Sequence, residues 1–317
     1  MQATTTNQSD HPVNPLLTYS FTVALILLLS SSPAVTRLSV TQTLTVYDLL
    51  VMRCGVGGLI LLPYFLMQLR TIPRRLLWIG FLLAFFQGWG MHFVTIIGLQ
   101  FAPAAHASAL GPGFIPVWVA MWGWLFYRIR PSRIQATGMV LIALGAAVLL
   151  LNSTGTAFDS KTLFGDLFFL LASSFGGIYL VYIQRHQIPP LQGGSLVAVY
   201  SGLVFVPWFL LSPVESKILQ APASELVLQI LYQGVGIGAL FVLMLNFVVV
   251  RMGSQRFSII GACVPILALM FGRVIAGDGI SVGECIAVAL ISTGVLYGAF
   301  FKGRRTKVAA APLQSFK

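Results

Sequence analysis

The sequence predicts an all-α integral membrane protein: ten transmembrane helices arranged as two inverted five-helix repeats, with the N- and C-termini cytoplasmic. Three observations carry this. Of the 317 residues 57% are apolar and only 9% are Asp, Glu, Lys or Arg, where a soluble domain carries roughly a quarter, so most of the surface must face something other than water. Apolar runs of bilayer length recur along the whole chain. The basic residues fall almost entirely into alternate gaps between those runs.

A hydrocarbon core about 30 Å thick takes about 20 helical residues to cross. Runs of that size cover residues 16–36, 46–69, 76–99, 104–127, 134–151, 163–184, 194–211, 226–250, 257–276 and 281–301. A closed barrel would need short strands alternating in polarity, and a run such as 139–151 does not alternate. With the N-terminus inside, the inner segments hold Arg70, Arg74, Arg75, Arg128, Arg130, Arg133, Arg185, Arg251, Arg256, Lys302, Arg304, Arg305, Lys307 and Lys317, 14 basic residues in all. The outer loops hold 3, Arg37, Lys161 and Lys217. That asymmetry sets the orientation, and Arg53 and Arg273 are left within spans. A net charge of +11 is thereby explained without nucleic acid, which would need the basic groups gathered on one solvated face among aromatic platforms.

The chain divides into a polar cytoplasmic N-terminus (1–15), a first repeat (16–152), a periplasmic linker (153–162), a second repeat (163–302) and a basic cytoplasmic tail (303–317). Residues 1–15 contain no Lys or Arg, so no secretory leader is expected and the first apolar run is a retained span. Five is odd, so the second half inserts upside down relative to the first, an arrangement found in many secondary transporters. A shift of 149 residues gives the echo of such a repeat: Pro116 with Pro265, Met121 with Met270, Gly123 with Gly272, Ser132 with Ser281, Leu141 with Leu290, Ile142 with Ile291 and Gly145 with Gly294. A proline inside a span removes a backbone hydrogen bond. Singly, each proline is a packing kink; at matched positions Pro116 and Pro265, with Gly111 and Gly113 in the fourth span and Gly236 in the eighth, are expected to be flexible breaks beside a cavity.

These residues resemble the EamA family of the drug/metabolite transporter superfamily in its ten-helix bacterial form. The second half opens with Gly165, Asp166, Leu167, Leu170, Ala172, Ser173, Tyr179 and Val181, similar to that family's GDLxxLxAS…Y pattern. Ala104 through Pro116 to Gly138 and Gly145 resembles the end of a repeat, and Arg53 followed by Pro63 resembles its arginine-bearing second helix. The resemblance covers residues 16–302. It implies spans one to four and six to nine around a central cavity, with spans five and ten as peripheral supports. Where the family usually carries a Glu after the fourth and ninth spans, this chain has Arg130 and Gly279.

Ionisable groups inside spans cost about 3 kcal/mol at a helix centre and point to pairing or function. Arg273 and Glu284 flank the turn 277–280 at equal depth and are expected to form an ion pair. Arg53 is either a snorkelling arginine or a cavity cation for a carboxylate. His92 and His106 are core hydrogen-bonding residues or a proton relay. At mid-depth Gln87, Trp89, Ser173, Ser174, Tyr179 and Gln233 are expected to line a substrate site, Gln being the hardest to satisfy in lipid.

Enzyme motifs are lacking: no phosphate-binding loop, HExxH, nucleophile elbow or Cys/His cluster occurs. Cys54, Cys263 and Cys285 are far apart in apolar runs, which fits neither a disulfide framework nor a metal site. No cofactor is expected, and the partners are a small-molecule substrate and the lipid bilayer. The expected function is a secondary transporter of small polar or amphipathic metabolites, amino-acid-like ones included, in the bacterial inner membrane. Export is favoured because the resembled family contains many exporters. With so few intramembrane carboxylates, facilitated exchange or loosely coupled efflux fits better than a multi-proton relay. An integral-membrane enzyme or lipid-modifying protein, and a non-transporting scaffold, stay open as alternatives.

Overall fold

The structure is a computed structural model that describes residues 15–153, 160–244, 248 and 262–300, and among these all regular structure is helical. In chain order the helices are α1 (Pro15–Gln42), α2 (Val46–Gln68), α3 (Arg74–Phe101), α4 (Ala104–Tyr127), α5 (Arg133–Ser153), α6 (Ser160–Arg185), α7 (Pro190–Leu211), α8 (Ala223–Met244), α9 (Val264–Ala276) and α10 (Val282–Phe300). Nine of these are long and apolar enough to cross a bilayer; α9 is the shorter one. The start expected for the ninth span at 257, the end expected for the eighth at 250, both terminal segments and most of the linker lie outside the described residues.

The outward faces are apolar. Met67 is 80% exposed, Trp78 78%, Val274 81% and Leu211 86%. Side chains like these in water would cost about 25 cal/mol for each Å² left wet, so the surface is one built for hydrocarbon.

Helix starts follow local chemistry. Thr45 caps α2 by accepting from Asp48 N (3.2 Å), and Asp48 Oδ2 accepts in return from Thr45 N (2.9 Å). Ser281 and Glu284 repeat this box at α10. Each box satisfies two of the backbone donors that a helix N-terminus leaves open.

Several spans that read as continuous runs are interrupted near their middles. α3 breaks at Gly88, whose ψ of −120° leaves helical space. A Cβ there would lie 1.9 Å from Ser201 Oγ, and that hydroxyl takes the N–H freed at Trp89 (3.2 Å). α4 turns at 111–114 before restarting at Ile115. The backbone opens into wide π-helical turns at Met52–Val56 in α2, Ile230–Leu240 in α8 and Gly272–Ala276 in α9. Such turns occur in short pieces and often at functional sites.

The breaks revise the expected role of the prolines. Pro116 and Pro265 each stand in the first turn of a helical stretch, where a missing N–H costs nothing and the fixed φ is already helical. The interruption in α4 precedes Pro116 but contains Pro112; Gly111 and Gly113 flank Pro112 within that turn, and a Cβ on either would meet a carbonyl of the preceding turn at 2.3 and 2.4 Å. Gly236 is looser, with its nearest contact at 3.3 Å on a Leu28 methyl.

α5 and α10 are joined backbone to backbone. A Cβ on Gly138 would sit 2.7 Å from Gly294 O, and one on Gly294 would sit 2.6 Å from Gly138 O. Small residues permit this approach, which gains dispersion contact where lipid offers no hydrophobic drive.

Candidate functional site

Arg53 lies in the wide turn of α2 and is 6% exposed. Its Nε donates to Gln233 Oε1 (3.0 Å) and Nη2 donates to the same oxygen. Its Nη1 contacts His92 Nδ1 at 3.0 Å, and Nη2 reaches Ser32 Oγ at 3.5 Å. A guanidinium can only donate, so His92 Nδ1 accepts and the ring proton sits on Nε2. His92 is therefore a neutral ligand of Arg53 in this arrangement. Gln233, in the wide turn of α8, is oriented in turn by donating Nε2 to Thr36 Oγ1 (2.8 Å). The site thus joins α1, α2, α3 and α8 around a buried cation, and among the described residues no carboxylate pairs with it.

Gln87 ends the first part of α3, directly before the break at Gly88. Its Oε1 is buried with no donor among the described residues and faces α6 near Gly176. A buried acceptor left unmatched costs about 1–3 kcal/mol, so a ligand donor would gain there. Trp89 follows the break and packs edge-on to Phe85 at 4.9 Å. On the facing helices Trp118 Nε1 donates to Ser173 Oγ (3.0 Å) and Trp122 Nε1 to Ser174 Oγ (3.2 Å). The two serines therefore fix an indole wall on α4. Those two tryptophans were not singled out from the sequence, although their spacing of four residues puts them on one helix face. Tyr179 belongs elsewhere: it is buried in a cluster with Leu83, Ile183, Ile188 and Leu196, beside Gly193 at the start of α7.

A second buried group sits on the first turn of α4. His106 Nδ1 lies 2.7 Å from Asp166 Oδ1 on α6, and Nε2 lies 3.0 Å from Glu284 Oε1 on α10. The expected ion pair between Arg273 and Glu284 is not formed. Arg273 is exposed, and its Nη1 contacts Asp278 O at 3.4 Å, while Glu284 binds His106 and Ser281. Arg273 lies in the wide turn Gly272–Ala276, which departs from 3.6 residues per turn and leaves its side chain facing outward.

His106 is part of a larger seam between the repeats. Arg37 of α1 donates Nε to Asp278 Oδ1 (2.9 Å) and Nη1 to the carbonyls of Leu99 and Ala102, while Asp278 Oδ2 accepts from Ala104 N (2.9 Å). Asp48 accepts from Ser216 Oγ (2.7 Å) and Lys217 N (3.0 Å). Glu225 of α8 accepts from Ser39 of α1 and, at 3.2 Å, from Gln229 Nε2. Five of the eight carboxylates in the chain, Asp48, Asp166, Glu225, Asp278 and Glu284, thus bind across from one half to the other at the end of the bundle away from the termini. Removing one partner of such a contact costs more than it gained, because the other is left desolvated. Arg37→Gln and Asp278→Asn are each expected to lower the thermal midpoint, by about 1.5–3 kcal/mol in stability, and the double variant by much less than the sum; additive losses in that cycle would show the two do not interact.

The profile of the EamA-like transporter family matches the chain twice, over residues 16–151 and 163–298. A solved crystal structure at 20% identity covers 91% of this chain and 99% of its own, with a TM-score of 0.58, so the fold is shared. No curated protein matches the chain. Two consecutive copies of one family unit, folded as helices with an apolar exterior and a few polar and charged groups buried among apolar ones, are what the sequence echo and the geometry both describe: the chain belongs to the EamA-like transporter family.

Proposed function

We propose that this protein is a secondary transporter that moves small polar or amphipathic metabolites, amino-acid-like ones among them, across the bacterial plasma membrane by alternating access, with export favoured. The observation that carries this reading is the Arg53 site: a buried guanidinium whose partners Gln233, His92 and Ser32 are all neutral. A cation in low dielectric without a counter-ion attracts an anionic group strongly, and the planar fork suits a carboxylate. The unmatched Gln87 oxygen offers an acceptor for an ammonium or amide, and Trp89, Trp118 and Trp122 offer apolar contact for the remainder of a metabolite. Rocking of the two halves would expose this region to each side in turn, with the breaks at Gly88 and 111–114 as flexible points. The basic loops and tail support cytoplasmic termini, which puts the carboxylate seam on the outer side, and the exporters in the family support the direction.

The test is counterflow in liposomes with a panel of radiolabelled amino acids, their amides and esters, and neutral and cationic metabolites. At least one carboxylate-bearing compound is expected to exchange, competed by other carboxylates and not by their amides. If a reconstituted family member exchanges compounds on the panel while this protein exchanges none, the transport reading fails; exchange confined to cations would reject the role given to Arg53.

A further inference from the structure

The Asp166–His106–Glu284 cluster is more than a structural ion pair needs. His106 is 2% exposed, Asp166 0% and Glu284 5%, so three titratable groups share one buried site. Each imidazole nitrogen faces a carboxylate oxygen. Ionised carboxylates only accept, and a neutral imidazole donates from one nitrogen alone. Both contacts can be hydrogen bonds only when the cluster holds one proton beyond a neutral ring and two carboxylates. His106 belongs to the first half and the two carboxylates to the second, so the bonds cross the boundary between the repeats.

We propose that this cluster is a proton-binding latch: one proton, bound jointly by His106, Asp166 and Glu284, holds the two halves together at this end, and its release to the adjacent aqueous side lets that end open. The proposal rests on the alternating-access reading above. Loss of the proton turns one contact into an acceptor facing an acceptor, which in low dielectric is repulsive. Parting of the halves would wet all three groups, and a solvated imidazole has a pKa of about 6.5, so the open form keeps the extra proton only in acid. The closed form then binds more protons than the open one above about pH 6.5, and closure weakens as pH rises, by up to about tenfold per unit.

The neighbouring ionisable groups are placed to leave this proton to the cluster. From α1, Arg37 is engaged by Asp278 and two carbonyls. From the α9 side come the exposed Arg273 and the largely buried Asp278, which caps Ala104. α6 contributes Lys161 at its exposed start and α10 the exposed Cys285. His92 of α3 is bound to Arg53, and Arg133 of α5 is at that helix's opposite end.

The experiment uses the full chain in lipid nanodiscs, with Cys54→Ala, Cys263→Ser and Cys285→Ser as background and spin labels at Thr41→Cys and Ser160→Cys, exposed positions in the first and second half. Distances are measured from pH 6 to pH 9. A longer-distance population is expected to grow with pH, in step with loss of the imidazolium signal of His106 in nitrogen-15 histidine spectra. His106→Gln should make the distances independent of pH, and Glu284→Gln should reduce the dependence, each variant serving if the other does not fold. A wild-type distribution that stays flat over this range, an imidazolium signal that does not follow the distances, or an equal pH response in His106→Gln would overturn the latch. No substrate is needed, so failure of transport and failure of the latch are separate outcomes.

Discussion

Arg53→Ala is expected to reduce carboxylate counterflow at least about 30-fold, since truncating one side of a buried hydrogen-bonded charge pair typically costs 2–5 kcal/mol. The loss should be larger than for any one of its three neighbours alone. Arg53 reaches Gln233, His92 and Ser32 together, so alanine removes both the charge and the group that orders the surrounding polar side chains. Arg53→Lys keeps the charge but not the fork, and is expected to raise KM while leaving a measurable maximal rate. Gln233→Ala should have a smaller effect, because it removes an orienting acceptor and leaves the cation in place. Initial counterflow rates, corrected for folded protein, check the series. Wild-type KM in folded Arg53→Ala protein would show that the guanidinium only supports packing.

The second large effect concerns stability. Gly138→Val or Gly294→Val should each destabilise the protein by about 1–3 kcal/mol or more, because the new Cβ would stand 2.7 or 2.6 Å from a carbonyl oxygen of the facing helix. Backbone on both sides cannot move aside as a flexible side chain can, so the helices must part along their length. The double variant should lose less than the sum, since the first substitution already separates the pair. Gly298→Ala is the internal control, as a Cβ there meets nothing within 4 Å. Thermal unfolding in detergent measures all four; equal midpoints for Gly294→Val and Gly298→Ala would contradict the contact.

The spans were legible in the sequence because run length and hydropathy are properties of the chain alone, and nine described helices fall where the runs predict them. The interruptions were legible only in part. Gly111 and Gly113 marked the break in α4, but Pro116, matched to Pro265, read as a break when it stands in the first turn of the next helical stretch. The break at Gly88 was barely marked along the chain, since it depends on Ser201 from another helix. The site divides similarly. Arg53, Gln87 and Gln233 stood out because a polar side chain in an apolar run is costly anywhere. The meeting of Arg53 with Gln233 and His92 depends on the rotation of α2 and α8 through wide turns that composition does not encode. Asp166 was visible in its motif and His106 in its span, yet nothing along the chain told that one imidazole would bridge α6 and α10. Depth can be counted in residues; the direction a side chain faces cannot once a helix departs from 3.6 residues per turn.

The glycine contact between α5 and α10 also bears on the order in which the protein assembles. α5 closes the first family unit, but the surface it packs against is the last helix of the second. During synthesis the glycine face of α5 must therefore wait in the bilayer while about 140 further residues emerge, at a typical rate of roughly 5–20 residues per second. The first five helices are a half-product with an open flank, and the final helix is the clasp that completes them.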